Sequence, residues 1–521
     1  MTPDRAADDA AAGSSEFRRG AAVLALANGL LYLAYVVLSF GMVVHAPFGE
    51  AQPREATAYG RLADALAPLG GGVQAFMRGE SFLSDRAAFN ATYAIVLVAL
   101  SISFLLLLRL IARHRAVLDD RAATALMRWA ALFALLLCFA APVLVQDFWL
   151  SPAWGREIVH GANPYVTPTD AAAAGALPLD DLGMRMTYGP MWALVSGAIM
   201  FVARDDVLLA AVLFKLLLAA AWIGCVYLVG RILHEGPADQ RCLGIAIVGW
   251  VPLGVLQSVG DGHNGIVMAA LTLLWLYALE RRQPRRASIA LAASVLVKYM
   301  TAPLFLLDLL HVRLSRGARL RTYLPQAVMA AALAGACFAI FWSPEFFTAT
   351  ASMTGWHFYT PRDAVVEAGR LVGLEPGLHT LSGVLVIGFA LAAQGAFLLV
   401  GLIALIRYWR APAVDTFRGA TAGLVVALLF GVIGHLWPWF MMLGLATAAI
   451  DPSAARVRWV VGYSLFATFP LLFWVADGGE SHLTLTTPLL YAASVLFFLV
   501  APRDWFGAGK GTGAGRASPA V

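Results

Sequence analysis

Apolar runs close to the length needed to cross a bilayer recur along this chain from Ala21 to Val500. A helix needs about 20 apolar residues to traverse the hydrocarbon. The hydrocarbon offers no partner to an unpaired backbone amide or carbonyl, so only helices and closed barrels span it. Runs this long and this closely spaced exclude a soluble enzyme with one anchor. Of the 521 residues, 60% are hydrophobic and only 13% charged, about half the charge of an ordinary soluble domain. The expected fold is therefore all-α, a polytopic transmembrane helical bundle of about 11–14 membrane segments with extracytoplasmic loops.

The spans read as 21–45, 90–111, 128–146, 207–230, 243–259, 265–280, 286–311, 322–342, 381–406, 418–436, 438–450, 458–475 and 486–501. Residues 21–501 form one integral-membrane domain between two disordered cytoplasmic tails, 1–20 and 502–521. The first run is too long for a signal-peptide core and should stay as an uncleaved helix. Basic stretches such as RLIARHRAVLDDRAATALMR, ERRQPRR and HVRLSRGARLR mark the cytoplasmic side. Three long polar segments, 46–89, 147–189 and 344–380, then face outward. Two runs resist a simple crossing. Segment 190–203 is short and reads as re-entrant or tilted, and 286–311 is interrupted by Lys298 and Pro303, as two half-helices would be. The net charge of +5 is small for this length, so a nucleic-acid partner is not expected. Cys138, Cys225, Cys242 and Cys337 have no metal-binding or CxxC spacing and read as small core residues; no metal and no cofactor is expected.

Four constellations can carry chemistry. In VQDFWLSPAWGREIVHGANPYVTP, Asp147 directly follows an apolar helix, where a poorly solvated carboxylate suits general-base work on a hydroxyl. The plain alternative is a solvated aspartate ending a helix, and Glu157 is the next carboxylate along. In VPLGVLQSVGDGHNGIVM, Gln257, Asp261, His263 and Asn264 gather at a Gly-broken junction, either to hold substrate or to satisfy freed backbone groups. In ASVLVKYMTAPLFLLDLL, Lys298 lies between apolar runs, where a cation needs a partner or a function; a lipid phosphate is the natural one, and snorkelling to the interface is the alternative. Last come aromatic groups on the outer side, Trp356 and His357 in TGWHFYTPRD and Trp437 and Trp439 in GHLWPWF, which suit a sugar face or a membrane-interface belt. Arg185, Arg362 and His435 nearby suit polar contacts to an anionic headgroup.

The order of these pieces matters more than any one of them. An aspartate after an early helix is followed by HGANPY, TYGP, HNG entering a helix, LVKYMTAPLFLL and HLWPWF. This order, over roughly 130–440, resembles the polytopic C-type glycosyltransferases, in particular the bacterial polyprenol-phosphate-mannose-dependent mannosyltransferases. The resemblance implies an inverting hexosyltransferase, with mannose as the sugar. The donor would be a polyprenyl-phosphate sugar and the acceptor a lipid-linked or cell-envelope glycan. The enzyme would sit in the bacterial plasma membrane among its lipids, with the site facing outside the cytoplasm. By position Asp147 matches the family's base, although two spans precede the one leading to it; Asp85 and Glu80 in the earlier loop are the alternative carboxylates. Lys298, His263 and Arg185 would surround the donor phosphate, with Gln257, Asp261, Asn264, Tyr165, Tyr188, Trp356, His357, Trp437 and Trp439 as substrate contacts. A multi-pass transporter or lipid flippase, and an O-antigen-type polymerase or ligase, are the competing readings.

Overall fold

The computed structural model describes residues 3–45, 86–142, 147–169, 183–316, 323–345, 359–452, 455–469 and 483–506. Within them the protein is a bundle of helices, as the apolar runs require. The first helices are α1 (Pro3–His45), α2 (Arg86–Arg113), α3 (Asp120–Leu137), α4 (Asp147–Val159), α5 (Pro190–Ala203) and α6 (Val207–Ile232). Next come α7 (Ala238–Trp250), α8 (Gly265–Glu280), α9 (Pro284–Val297), α10 (Leu304–Arg316) and α11 (Leu324–Phe341). The C-terminal set is α12 (Pro361–Leu371), α13 (Leu381–Arg410), α14 (Val414–Ala427), α15 (Met441–Ala449), α16 (Ala455–Phe466) and α17 (Leu483–Val500).

Six helices among the described residues are long and apolar enough to cross a membrane alone, or seven if one bent pair is a single span. Further apolar runs are broken or short, so they stand outside that count of single long helices. Pro252 opens a new turn after α7, and the continuation Pro252–Gly260 leaves at 50° to it. That continuation ends in a π-helical turn, Leu256–Gly260. Run 286–311 is broken as expected. Helix α9 stops at Val297, Lys298 is extended, a 3-10 turn covers Tyr299–Thr301, and α10 starts after Pro303. Helix α5 has 14 residues, about 21 Å at 1.5 Å per residue, short of a full crossing.

Two boundaries differ from the sequence reading. Helix α1 begins at Pro3 and so takes in most of the segment expected as a disordered tail. Its Ser14 hydroxyl lies 3.4 Å from the Asp119 carboxylate, and the Arg18 guanidinium 3.7 Å from it. Helix α3 ends at Leu137 rather than running on to 146. Asp147 therefore opens a separate helix instead of closing the preceding one. Of the three long polar segments, 46–85, 170–182 and 346–358 lie outside the described residues, as does 507–521 of the C-terminal segment.

The core that carries the site forms where α3, α6, α7 and α8 pack together, with α4 and α5 paired against α6. Trp154, Trp192, Trp222, Trp250 and Trp275 are fully buried there. Glycines set the closest approaches. A Cβ on Gly155 of α4 would meet the Ser196 carbonyl of α5. Small residues at such crossings let helices approach where the lipid provides little other drive to associate.

Candidate active site

Asp147 is the first described residue of α4, so its carboxylate stands in the first turn of that helix. Its side chain keeps 30% of its exposure, whereas that of His263, 3.9 Å away from Nδ1 to Oδ2, keeps 1%. The Tyr188 hydroxyl donates to the same Oδ2 at 3.0 Å. Burial first, then the charge of Asp147 and this hydrogen bond, push the Tyr188 phenol well above its ordinary value. Tyr188 is thus a fixed donor to the carboxylate. Lys298 completes the cluster: its Nζ lies 4.1 Å from the Phe440 ring centre and 5.1 Å from that of Tyr188. It interacts electrostatically with both Asp147 and His263.

An aromatic wall closes one side. The His263 ring stacks on Trp439 at 4.2 Å and 9°, and Trp439 stacks on Trp437 at 4.6 Å and 9°. Trp439 is buried and Trp437 half-buried, so the stack leads from the protein interior beside Asp147 towards the surface. Two buried polar atoms here lack a hydrogen-bond partner among the described residues, His263 Nε2 and Asn264 Nδ2. Buried polar atoms are nearly always satisfied, so such a pair points to a polar ligand or water.

Local sequence explains how distant residues meet. Helix α4 ends on Gly161 with φ 83°, where Ala162 donates to the Glu157 carbonyl at 2.8 Å, the capping pattern that glycine permits. HGANPY then turns back onto TYGP. The Tyr165 hydroxyl donates to the Tyr188 carbonyl at 2.8 Å, and Met186 N–H to the Pro164 carbonyl at 2.8 Å. TYGP in turn docks on the end of α9, with Gly189 N–H donating to the Val297 carbonyl at 3.0 Å. A Cβ on Gly189 would strike the Leu296 backbone, so only glycine allows the approach that brings Tyr188 beside Lys298.

The other expected residues are distributed differently. Tyr165 braces the Tyr188 backbone from a buried position rather than lining the site. Gln257 and Asp261 are buried behind it: Asp261 accepts from Gln257 Nε2 at 2.7 Å and from the Tyr35 hydroxyl at 3.2 Å. This is a network among side chains, distinct from the satisfaction of freed backbone groups expected as the alternative at this junction. Arg185 is exposed, with Glu345 as an electrostatic neighbour. Trp356, His357, Glu80 and Asp85 lie outside the described residues. Among the described residues no group of three or more His, Cys, Asp or Glu is placed to hold a metal ion. Sequence reasoning missed Lys215, buried within α6, and its neighbour Asp261's partner Tyr35. Lys215 had a signal, a lone cation in VLLAAVLFKLLLAAAW, the same one that marked Lys298.

Residues 58–312, just under half of the chain, match the family model described as alpha-(1->6)-mannopyranosyltransferase, N-terminal domain. This segment belongs to that family. The match covers Asp147, Tyr188, His263 and Lys298, while Trp437, Trp439 and Phe440 of the aromatic wall lie beyond it. No curated protein and no solved structure matches the chain. The family and the helices together make the protein a multi-pass membrane glycosyltransferase of the mannosyltransferase type. A sugar donor and a glycan acceptor are in general what such a glycosyltransferase takes.

Proposed function

We propose that this glycosyltransferase moves mannose from a polyprenyl phosphate to a hydroxyl of a lipid-linked or cell-envelope glycan, with inversion, using Asp147 as general base. The observation that carries the reading is the Asp147 carboxylate, oriented by Tyr188 and flanked by His263 and Lys298. Asp147 takes the proton of the acceptor hydroxyl. That oxygen bonds to the anomeric carbon on the face opposite the phosphate, and the bond from carbon to phosphate oxygen breaks with its electron pair leaving on the polyprenyl phosphate. One base is enough, because a phosphate leaves as a stable anion and needs positive charge more than a proton. Lys298 supplies that charge. Its ammonium is held between aromatic faces close to Asp147, a place from which it can meet an anionic oxygen. His263 Nε2 and Asn264 Nδ2 are the polar atoms that would meet the donor or acceptor. The Trp437 and Trp439 stack offers apolar faces to a sugar ring. In this reading the protein lies in the bacterial plasma membrane with the site facing outward.

The test is transfer by the purified full-length protein from a panel of radiolabelled polyprenyl-phosphate hexoses, with the configuration of the product read by NMR. Mannose should be transferred preferentially and inverted. Retention of configuration, or transfer only from nucleotide sugars, sinks the reading. Lys298→Ala should raise the apparent donor KM about 10-fold or more, in line with the loss of a charge-assisted contact of 1.5–3 kcal/mol. An unchanged donor KM removes Lys298 from the phosphate.

A further inference from the structure

Lys215 lies eight residues into α6, about 12 Å along the helix and among apolar residues on both sides. It is 3% exposed. A cation at such a place is costly, and it persists where it has a partner or a task. Its ammonium donates to the carbonyls of Val259, at 2.6 Å, and Gly260. These carbonyls lie at the end of the π-helical turn, where helical carbonyls run out of partners and a cation complements the helix dipole. Asp261, next in sequence, interacts electrostatically with Lys215. The same ammonium stands 5.6 Å from the centre of the Phe148 ring.

These contacts reach both halves of the Asp147 site. Beyond Val259 and Gly260 the chain passes Asp261 and Gly262 to His263, whose N–H donates to the Gln257 carbonyl at 3.1 Å. Gly262 has φ 81°, and a Cβ there would run into the Phe148 ring, so the His263 turn and Phe148 are packed in direct contact. Phe148 is the neighbour of Asp147 in α4. Besides its electrostatic interaction with His263, Lys215 holds the segments that carry His263 and Asp147.

We propose that Lys215 is a positioning residue for the transfer reaction: its ammonium ties the Val259–Gly260 turn to Phe148 and so holds His263 against Asp147. This rests on the reading of Asp147 and His263 as reaction-site residues. A buried cation bonded to backbone carbonyls fixes a turn in one arrangement more firmly than apolar packing does, and a misplacement of about 1 Å at a reacting group costs about 100-fold in rate.

The experiment is a double-mutant cycle on the full-length protein in lipid nanodiscs, with polyprenyl-phosphate mannose as donor. Lys215→Met should lower kcat about 10- to 100-fold and leave the donor KM within about 3-fold. In a His263→Ala background the same substitution should cost less than about 3-fold, because its route to the reaction is already gone. An equal loss in both backgrounds, or a rise in KM alone, overturns the proposal. Hydrogen exchange supplies a readout independent of activity: amides 259–264 should exchange faster in Lys215→Met, and unchanged exchange there also overturns it. If Lys215→Met does not give monodisperse protein, Asp261→Asn removes the companion charge at constant shape and should show the same coupling to His263. If the wild-type protein transfers nothing from any polyprenyl-phosphate hexose, the reading of Asp147 falls, and the exchange comparison alone decides whether Lys215 tethers the turn.

Discussion

Asp147→Asn should lower sugar transfer about 10³-fold, within the range that a positioned general base contributes, and leave the fold and donor binding intact. The substitution keeps the size of the side chain and its ability to accept from the Tyr188 hydroxyl, and it removes the capacity to take a proton. Position is what makes the loss large. The carboxylate stands in the first turn of α4, and its Oδ2 accepts from Tyr188 and faces His263. An amide in the same place is oriented just as well and cannot deprotonate the acceptor. The measurement is kcat with polyprenyl-phosphate mannose, beside a binding assay for the donor lipid. Full transfer by Asp147→Asn would remove it as the base and turn attention to Glu157, buried on the same helix.

The second large effect is expected at a residue with no side chain. Gly189→Ala should destabilise the protein by about 3 kcal/mol, the upper range for forcing extra volume into a packed site. The new Cβ meets backbone, the Leu296 carbonyl, and backbone at the end of a helix has little room to move. Relief requires separating TYGP from α9, which breaks the Gly189 to Val297 hydrogen bond and takes Tyr188 from between Asp147 and Lys298. Transfer should therefore fall further than the folded fraction does. Thermal unfolding in detergent reads the first effect and activity per folded molecule the second. Gly388→Ala in α13 is the control: its Cβ would have nothing within 4 Å, and alanine's helix preference makes the change neutral to mildly stabilising. Equal behaviour of the two variants would disprove the steric argument.

Much of the site was legible in the sequence because a membrane makes polar residues conspicuous. Asp147, His263 and Lys298 stood out as charges or imidazole among apolar residues, and the structure brings these three together. The break at Lys298–Pro303 was legible too, since proline cannot continue the hydrogen-bond ladder. The sequence does not separate residues of one type that serve two purposes. Gln257, Asp261, His263 and Asn264 sit within eight positions and look alike as a polar group. Gln257 and Asp261 point into a network with Tyr35, while His263 faces Asp147. No period in a broken helix announces that division. Lys215 carries the same signal as Lys298, a lone cation in an apolar run, with no motif beside it to indicate a role.

What the sequence alone determined is the fold class and the inventory. The length and density of apolar runs compel helices in a membrane, since each helix satisfies its own backbone there, and the scarcity of charge leaves few residues able to do chemistry. The tertiary structure decided which of those residues share a site. Tyr188 meets Asp147 across 41 positions of sequence, Lys215 meets Val259 across 44, and Trp439 stacks on His263 from outside the matched family segment. Such pairings depend on where glycines let backbones touch and on how helix breaks turn the chain. They are properties of packing, and no local pattern of residues encodes them.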